Sequence, residues 1–431
     1  MRYCAFVCAA ALLWAPGARA YSVLTHEAII DSAWDQNIKP LLLQRFPQTA
    51  PDDLKHAHAY AYAGAIIQDM GYYPFGSREF SDLVHYVRSG DFVVNMIRDS
   101  QDLNEYAFAL GSLAHYAADT EGHSIAVNPS VALQYPKLES EYGREVTYEE
   151  DPSAHLKVEF GFDALQVARG HYAPDSYHDF IGFKVSKPVL QRAFQDTYSL
   201  QLKDVFKDLD LALGTYRFTV SHVIPEMTKV AWDLKKKELM QAEPKLTRRK
   251  FVYYISRASY RKEWDGRHEE PGIGARFLAF LFRILPKVGP LKAASYKVPT
   301  PQTAKLFEDS FDKTLDFYRY LLGEVGKGNL TLTNRDFDTG EPTRPTEYQL
   351  ADKAYSKLAI QLSKKPPENV DPKVVENILG YYRDPNLPYA TKKDPDVWQQ
   401  TLTAVNKLRT ETAASPIPPS KPAASTKTTA P

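Results

Sequence analysis

The chain of 431 residues contains only two cysteines, Cys4 and Cys8, and both lie within its first eight residues. The segment that contains them is an apolar run that ends in an Ala-x-Ala site at Ala20, which is typical of a cleaved secretory signal peptide. We therefore expect a secreted or periplasmic mature chain that begins at Tyr21. Such a chain has neither disulfides nor thiolate ligands, so its stability has to come from a hydrophobic core.

The sequence also lacks a charge imbalance and a long apolar run. It contains 53 basic and 53 acidic residues, and loss of Arg2 and Arg19 with the signal peptide leaves a net charge of about −2. Bulk charge therefore gives no argument for nucleic acid or for a membrane surface as partner. No apolar run after the signal peptide reaches the ~18 to 20 residues that span a bilayer, so we expect no transmembrane segment.

Strict alternation of apolar and polar residues, the pattern of a half-buried β-strand, is scarce. Helical periodicity dominates instead and predicts a mainly α fold, a multi-helix bundle with a helical C-terminal region. The periodicity predicts helices over 25–34, 53–70, 91–98, 104–123, 154–169 and 187–197, and a longer helical stretch over 200–236. Residues rich in Gly, Pro, Asn and Ser predict loops over 71–81 and 126–149.

Composition divides the chain into segments. We expect a signal peptide over 1–20, a helical domain over 21–230, a basic and partly amphipathic segment over 231–300, a helical C-terminal region over 301–410 that is interrupted by a polar loop at 329–345, and a disordered tail over 411–431.

The basic segment bears on possible partners. Between residues 235 and 297 there are sixteen Lys/Arg and six Asp/Glu, around an apolar stretch at 273–285. An amphipathic helix of this kind suits peripheral contact with an anionic membrane surface. Two other interpretations stay open: a helix that packs on the core with solvated charges around it, and a groove for single-stranded nucleic acid.

The motif that carries chemistry is His115-x-x-x-Asp119-x-x-x-His123. Residues at i, i+4 and i+8 project from one face of a helix, about one turn apart. A second pair of this kind follows at His155 and Glu159. Neutral imidazole and carboxylate are the ligands that Zn²⁺ takes when thiols are absent, so these positions predict a zinc site.

Four further groups join this set in sequence order, namely Tyr21, His26, Asp69 and His85. The set as a whole resembles the zinc-dependent phospholipase C superfamily, which includes the secreted single-strand-specific nucleases, over about 21–163. The resemblance implies a zinc-cluster cleft with two to three Zn²⁺ ions. Asp69, His85, His115 and Asp119 would hold the first ion, and His123, His155 and Glu159 the second. The third would be held by the α-amine and carbonyl of Tyr21 with His26 and Asp119, so that Asp119 bridges the first and third ions.

Two features of the motif differ from the well-characterised members. Their next histidine lies six residues after the bridging aspartate, whereas Asp119 and His123 are four apart, as in the broader bacterial branch. Their N-terminal Trp is replaced by Tyr21, which preserves the chelating atoms because these belong to the backbone.

The function that the resemblance implies is hydrolysis of a phosphodiester by zinc-activated water, with a phospholipid head group as the substrate of a phospholipase C. Asp69 would be a ligand of the first ion, the general base that orients the water, or both. Three alternatives remain open at this point: a nuclease or nucleotidase that acts on single-stranded nucleic acid, a non-catalytic zinc-binding surface or interaction protein, and a structural protein with chance histidines that binds no metal. In the last case the helical His–Asp and His–Glu pairs would be surface ion pairs.

Overall fold

A computed structural model describes residues 22–169, 183–220, 232, 235–247 and 296–414. Within these ranges the chain forms helices and no β-strand beyond one isolated bridge between Arg335 and Pro342. The predicted mainly α fold is confirmed. The expected signal peptide, Tyr21, the apolar stretch at 273–285 and the tail after 414 lie outside the described residues.

The first half of the chain forms a layer of helices around the central helix α6. The α-helices described up to residue 220 are α1 Val23–Ala33, α2 Lys39–Arg45, α3 Pro51–Gly64, α4 Arg78–Tyr86, α5 Ser89–Arg98, α6 Leu103–Gly122, α7 Asn128–Gln134, α8 Pro136–Tyr142, α9 Pro152–Arg169, α10 Lys187–Tyr198, α11 Leu202–Val205 and α12 Leu209–Phe218. π-Helical turns cover Trp34–Ile38 and His123–Val127, and a 3₁₀ turn covers Ile67–Tyr72.

The C-terminal region adds four further α-helices, which are α13 Pro301–Lys327, α14 Gln349–Leu362, α15 Pro372–Tyr381 and α16 Pro395–Ala414, with 3₁₀ turns at Pro367–Asn369 and Ala390–Lys393. Helix α13 packs along α6, where the Tyr318 hydroxyl donates to the Leu110 carbonyl at 2.9 Å. Among the described residues no helix is both long and apolar enough to cross a membrane.

The structure corrects several predicted boundaries. The stretch 126–149, predicted as a loop, contains α7 and α8, because Pro129 and Pro136 occupy the first helical turn, where a missing N–H is tolerated, and start helices rather than break them. Of the stretch 200–236, predicted as one helical stretch, the part up to residue 220 forms two separate short helices, since Asp208 accepts from the Leu211 amide and caps α12.

The region around Asp69 also differs from the prediction. The helix predicted over 53–70 ends at Gly64, and Asp69 lies on the 3₁₀ turn that follows. The loop predicted over 71–81 is shorter, because α4 begins at Arg78 with Ser77 as its N-cap. Asp69 is therefore held by a tight turn and not by a helix end.

Helices α3 and α6 approach each other closely because glycine lies at each crossing point. A Cβ on Gly64 would lie 2.0 Å from the Phe108 carbonyl oxygen, and one on Gly111 would lie 2.1 Å from the Ala61 carbonyl oxygen. Backbone therefore rests directly on backbone at the crossing. This contact brings the end of α3 within reach of His115, one helical turn after Gly111.

We expect Gly111→Ala to lower the free energy of unfolding by about 1 to 3 kcal/mol or more, because the added methyl forces two backbones apart. Urea unfolding followed by circular dichroism measures this change. Gly323→Ala is the matched control, since a Cβ at this position of α13 meets no atom within 4 Å and Ala favours the helix. Equal unfolding midpoints for Gly111→Ala and the unmodified chain would contradict the close-approach argument.

Candidate metal centre

The described donor residues come from six elements that converge on one site. His115 and Asp119 lie on α6, and His123 begins the π-helical turn that continues it. The other elements are α1, the 3₁₀ turn, α4 and α9. The eight described donor residues are all buried, each with at most 1% relative exposure: His26, Asp69, His85, His115, Asp119, His123, His155 and Glu159. Burial at this level excludes the interpretation as solvent-exposed helical ion pairs.

These donors form groups that are compact enough to hold single ions. In each group the donor atoms lie within 4.8 Å of one another, and the groups are His26, Asp69 and His115; His85, His115 and Asp119; and His123, His155 and Glu159. His115 and His123 are eight residues apart, which is about 12 Å along a helix axis, so they are too far apart to hold the same ion. Tyr21 lies outside the described residues, so the group expected around it is represented here by His26 and Asp119 alone.

We call Asp69, His85, His115 and Asp119 the first group. Two imidazoles of this group, those of His85 and His115, point their lone pairs at each other. The Nδ1 atom of His85 lies 2.8 Å from the Ser81 carbonyl oxygen, and that of His115 lies 2.9 Å from the Ala65 carbonyl oxygen. Because a carbonyl only accepts, both Nδ1 atoms carry a proton, and in the neutral rings both Nε2 atoms carry lone pairs. These Nε2 atoms are 3.4 Å apart. Such an arrangement requires a cation, either a proton or a metal ion.

The carboxylate of Asp119 lies between two sets of imidazoles. Its Oδ2 lies 3.1 Å from His115 Nε2 and 3.5 Å from His85 Nε2, while its Oδ1 lies 3.6 Å from His26 Nε2 on the other side. Neither oxygen has a hydrogen-bond partner among the described residues. A carboxylate that presents one oxygen to each of two donor sets has the geometry of a ligand that bridges two ions.

The second group, which consists of His123, His155 and Glu159, also brings unprotonated donor atoms together. His155 Nε2 lies 2.7 Å from the Val146 carbonyl oxygen, so Nε2 is protonated and Nδ1 faces Glu159 Oε1 at 3.5 Å. The rings of His123 and His155 lie 5.5 Å apart. A neutral imidazole nitrogen and a carboxylate oxygen that face each other repel unless a cation lies between them.

The distances between donors fit zinc better than they fit direct hydrogen bonds. Hydrogen bonds of this kind measure about 2.7 to 3.2 Å. Two ligands of one tetrahedral zinc, each about 2.0 to 2.1 Å from the metal, lie about 3.4 Å apart. The pairs His85–Asp69, His85–Asp119, His26–Asp119 and His155–Glu159 measure 3.5, 3.5, 3.6 and 3.5 Å. A partly buried pair outside the centre, His58–Asp31, measures 3.1 Å and is an ordinary hydrogen bond, and within the centre the pair His115–Asp119 has this same length.

Burial and charge shift the proton affinities of these groups in opposite directions. Burial opposes protonation of His85, but the adjacent carboxylates of Asp119 and Asp69 raise its pKa to about 10. Burial opposes ionisation of Asp119, yet the neighbouring imidazoles, His115 first, hold its pKa well below the usual value. Burial lowers the pKa of His123 and lowers that of His155 to about 4. The two imidazoles of the second group, His123 and His155, are therefore neutral at pH 7, which is the form that binds metal.

A hydrogen-bonded strap fixes the 3₁₀ turn that carries Asp69. Gln68 donates to the Ser112 carbonyl at 3.0 Å, and the Ser81 hydroxyl donates to the Gln68 carbonyl at 2.5 Å. The Gly71 amide donates to the same Ser81 hydroxyl at 3.0 Å. Asp69 is thereby held beside His85, on a turn tied to both α4 and α6.

Asp163 is a positioning residue that the sequence argument passed over. Its Oδ2 accepts from the Leu24 amide at 3.1 Å, and its Oδ1 accepts from the Thr25 hydroxyl at 2.6 Å, so it anchors the start of α1 next to His26. A signal for it was available, because His155, Glu159 and Asp163 repeat the i, i+4, i+8 spacing of the α6 motif. Asp338, far along the chain, was also missed, because no local spacing connects it to a histidine.

We expect Asp163 and Thr25 to be energetically coupled. Asp163→Ala and Thr25→Val should each destabilise the zinc-free protein by about 1 to 3 kcal/mol, since each removes a buried hydrogen bond to a carboxylate. The double variant should lose less than the sum of the two single variants by about 1 kcal/mol or more. Urea unfolding of all four proteins measures the coupling, and strictly additive losses would argue against the anchor.

Aromatic rings wall the centre and keep solvent from it. Tyr72 lies edge-on to the His85 ring with a centroid distance of 5.9 Å. Phe337, from the loop between α13 and α14, lies 5.2 Å from the His85 ring and 6.0 Å from the His115 ring. The apolar wall keeps the dielectric low around the donors, which strengthens their interaction with a cation.

Comparison with protein families agrees with this centre. Residues 25–208 match the family model described as zinc dependent phospholipase C, and the resemblance noted from the sequence is confirmed. The match covers fewer than half of the residues and ends before α13. It contains all eight described donors. Comparison with curated proteins and with solved structures gave no significant match.

Proposed function

We propose that this chain, whose residues 25–208 carry the match to zinc-dependent phospholipase C, is an exported zinc-dependent hydrolase that cleaves the head-group phosphodiester of a phospholipid. The observation that carries the proposal is the buried Asp119 carboxylate, with one oxygen toward His26 and the other toward His85 and His115. A carboxylate placed between two donor sets would help to hold two cations, and their positive charge would stabilise the attacking and the leaving oxygen of a phosphoryl displacement.

The donor set fits zinc, because it offers imidazole and carboxylate in a buried, thiol-free site with lone pairs that face one another. We assign Asp69, His85, His115 and Asp119 to a first ion, His123, His155 and Glu159 to a second, and His26 with Asp119 and Tyr21 to a third. When bound, Zn²⁺ supplies a water of pKa about 7 and positive charge for the phosphate oxygens.

The residues of the chain contribute orientation and proton transfer. The carbonyls of Ser81 and Ala65 hold the protons of His85 and His115 on Nδ1 and so direct both Nε2 atoms into the site. Asp69 lies 3.5 Å from His85 Nε2, and its two oxygens have no hydrogen-bond partner among the described residues. We assign it two compatible roles, ligand of the first ion and acceptor of the proton from the attacking water.

The wall around the donors sets a condition on substrate binding. Because the donors are buried, a phosphodiester reaches them only after some covering residues move. Removal of water from such a site strengthens every charge interaction within it. The conformational step therefore belongs to the proposed catalytic cycle.

The test is a substrate panel on the purified, zinc-loaded chain. Hydrolysis is followed for a chromogenic phosphocholine ester, phosphatidylcholine vesicles, vesicles with added anionic lipid, and denatured DNA and RNA, while zinc is counted in the same samples. Turnover of the ester and of phospholipid, lost together on chelation, supports the proposal. Turnover of nucleic acid alone identifies a nuclease on the same centre, and bound zinc without turnover of any phosphodiester identifies a binding protein.

A further inference from the structure

The loop between α13 and α14, residues 328–348, lies outside the matched segment 25–208 and yet reaches the metal centre. The Tyr116 hydroxyl donates to the Thr333 carbonyl at 2.9 Å, one helical turn before Asp119. Farther along the loop, the Phe337 amide donates to the carbonyl of His85 at 3.3 Å. The loop is therefore bound to the same elements that supply the donors.

Two glycines allow this close contact. A Cβ on Gly90 would lie 2.6 Å from the Thr333 carbonyl oxygen. Gly340 has a φ of +75°, in the left-handed region, and a Cβ there would lie 2.4 Å from the Thr120 carbonyl oxygen. The sequence is thus adapted on both sides of the interface to bring loop backbone against the N-terminal helices.

The loop buries the carboxylate of Asp338 in the centre. One of its oxygens, Oδ2, accepts from the hydroxyls of Tyr86, at 2.8 Å, and of Tyr348. Its backbone carbonyl accepts from Asn128 Nδ2 at 2.8 Å. The other carboxylate oxygen, Oδ1, has no hydrogen-bond partner in the described part of the chain and lies 3.4 Å from His123 Nε2.

The surroundings of Oδ1 point to a cation. Neither ring nitrogen of His123 has a hydrogen-bond partner among the described residues. The 3.4 Å separation of Oδ1 and Nε2 exceeds a hydrogen bond of about 2.7 to 3.2 Å and equals the edge of about 3.4 Å between two ligands of a tetrahedral zinc. A fully buried carboxylate oxygen without a donor is costly unless it meets positive charge.

We propose that Asp338 is a fourth protein ligand of the ion held by His123, His155 and Glu159. The inference rests on the proposed zinc centre and adds to it a ligand from outside the matched segment. With Asp338, the ion assigned to His123, His155 and Glu159 would have four protein ligands, the number found in structural zinc sites. The two phenols hold Oδ2 and so aim Oδ1 at the ion. The C-terminal region is in this way part of the metal centre.

The experiment compares zinc stoichiometry and affinity, by competition with a chromophoric chelator, in the unmodified full chain, Asp338→Asn and Asp336→Asn. Asp336 is the matched control, because it is a buried carboxylate of the same loop whose Oδ1 accepts from the Asp338 and Thr339 amides, a role that Asn preserves. We expect Asp338→Asn to weaken one zinc by about 10- to 100-fold or to lose it, since a charged ligand becomes neutral. Asp336→Asn should keep the stoichiometry and affinity of the unmodified chain.

Other outcomes separate the two proposals. Zinc in the unmodified chain with equal affinity in Asp338→Asn overturns the ligand role of Asp338 and leaves the proposed hydrolase intact. A chain that binds no zinc overturns both. Should Asp338→Asn fail to fold, zinc-anomalous diffraction from crystals of the unmodified, zinc-loaded chain decides: an Asp338 oxygen within about 2.2 Å of zinc supports the ligand, and one beyond about 3 Å overturns it.

Discussion

Asp119→Ala should abolish turnover of a phosphocholine ester by at least about 10³-fold and should remove zinc from two sites at once. The reason is that the two oxygens of Asp119 face different imidazole sets, with Oδ2 at 3.1 Å from His115 and Oδ1 at 3.6 Å from His26. A thousandfold loss corresponds to about 4 kcal/mol of transition-state stabilisation, which is within the range that metal ions contribute. Elemental analysis and initial rates on the same samples measure both effects.

Asp31→Ala provides the control for this variant. Asp31 also pairs with an imidazole, at 3.1 Å from His58 Nε2. The His58 ring stacks on Trp34, and both residues of the pair lie outside the three donor groups. It should keep full zinc content and turnover while losing some stability. Zinc content and turnover in Asp119→Ala equal to those in Asp31→Ala would show that Asp119 is a structural carboxylate and not a bridging ligand.

Removal of zinc should lower the melting temperature by about 10 °C or more. Each ion present at about a thousand times its dissociation constant stabilises the folded state by about 4 kcal/mol, so two to three ions contribute about 8 to 12 kcal/mol, and in a chain of this length each kcal/mol shifts the melting temperature by about 1 °C. Without metal, the buried carboxylates of Asp69 and Asp119 retain the protonated His85 as their compensating charge, because its pKa is raised to about 10. Differential scanning calorimetry with and without a chelator measures the shift, and added zinc should reverse it.

The sign of the pH dependence follows from the same groups. Zinc binding at the first group displaces the proton that His85 carries at pH 7, so its affinity should rise as pH increases toward 10. The second group should show little dependence above about pH 5, since burial lowers the pKa of His155 to about 4 and that of His123 also. A melting temperature that is the same with chelator and with zinc at pH 7 would count against a metal centre in the native fold.

The candidate donor residues could be named from the sequence because the strongest signals are local. His115, Asp119 and His123 on one face of a helix, and His155 with Glu159 on another, follow from helix geometry, and the structure brings both sets into buried groups. The mainly α fold followed from the same periodicity. Proline was misinterpreted in 126–149, since its position at a helix start or in a loop depends on what packs against the segment.

What the tertiary structure alone decided concerns contacts between distant segments. Nothing in the sequence around Gly64 and Gly111 indicates their structural role. In the structure they let α3 and α6 touch, and the Ala65 carbonyl at the end of α3 then sets the tautomer of His115. Asp338 lies more than two hundred residues after His123 and reaches it only because the loop after α13 docks on the N-terminal helices. Local periodicity specifies which residues share a face, whereas the meeting of two faces depends on the packing of the whole chain, which no short window of sequence contains.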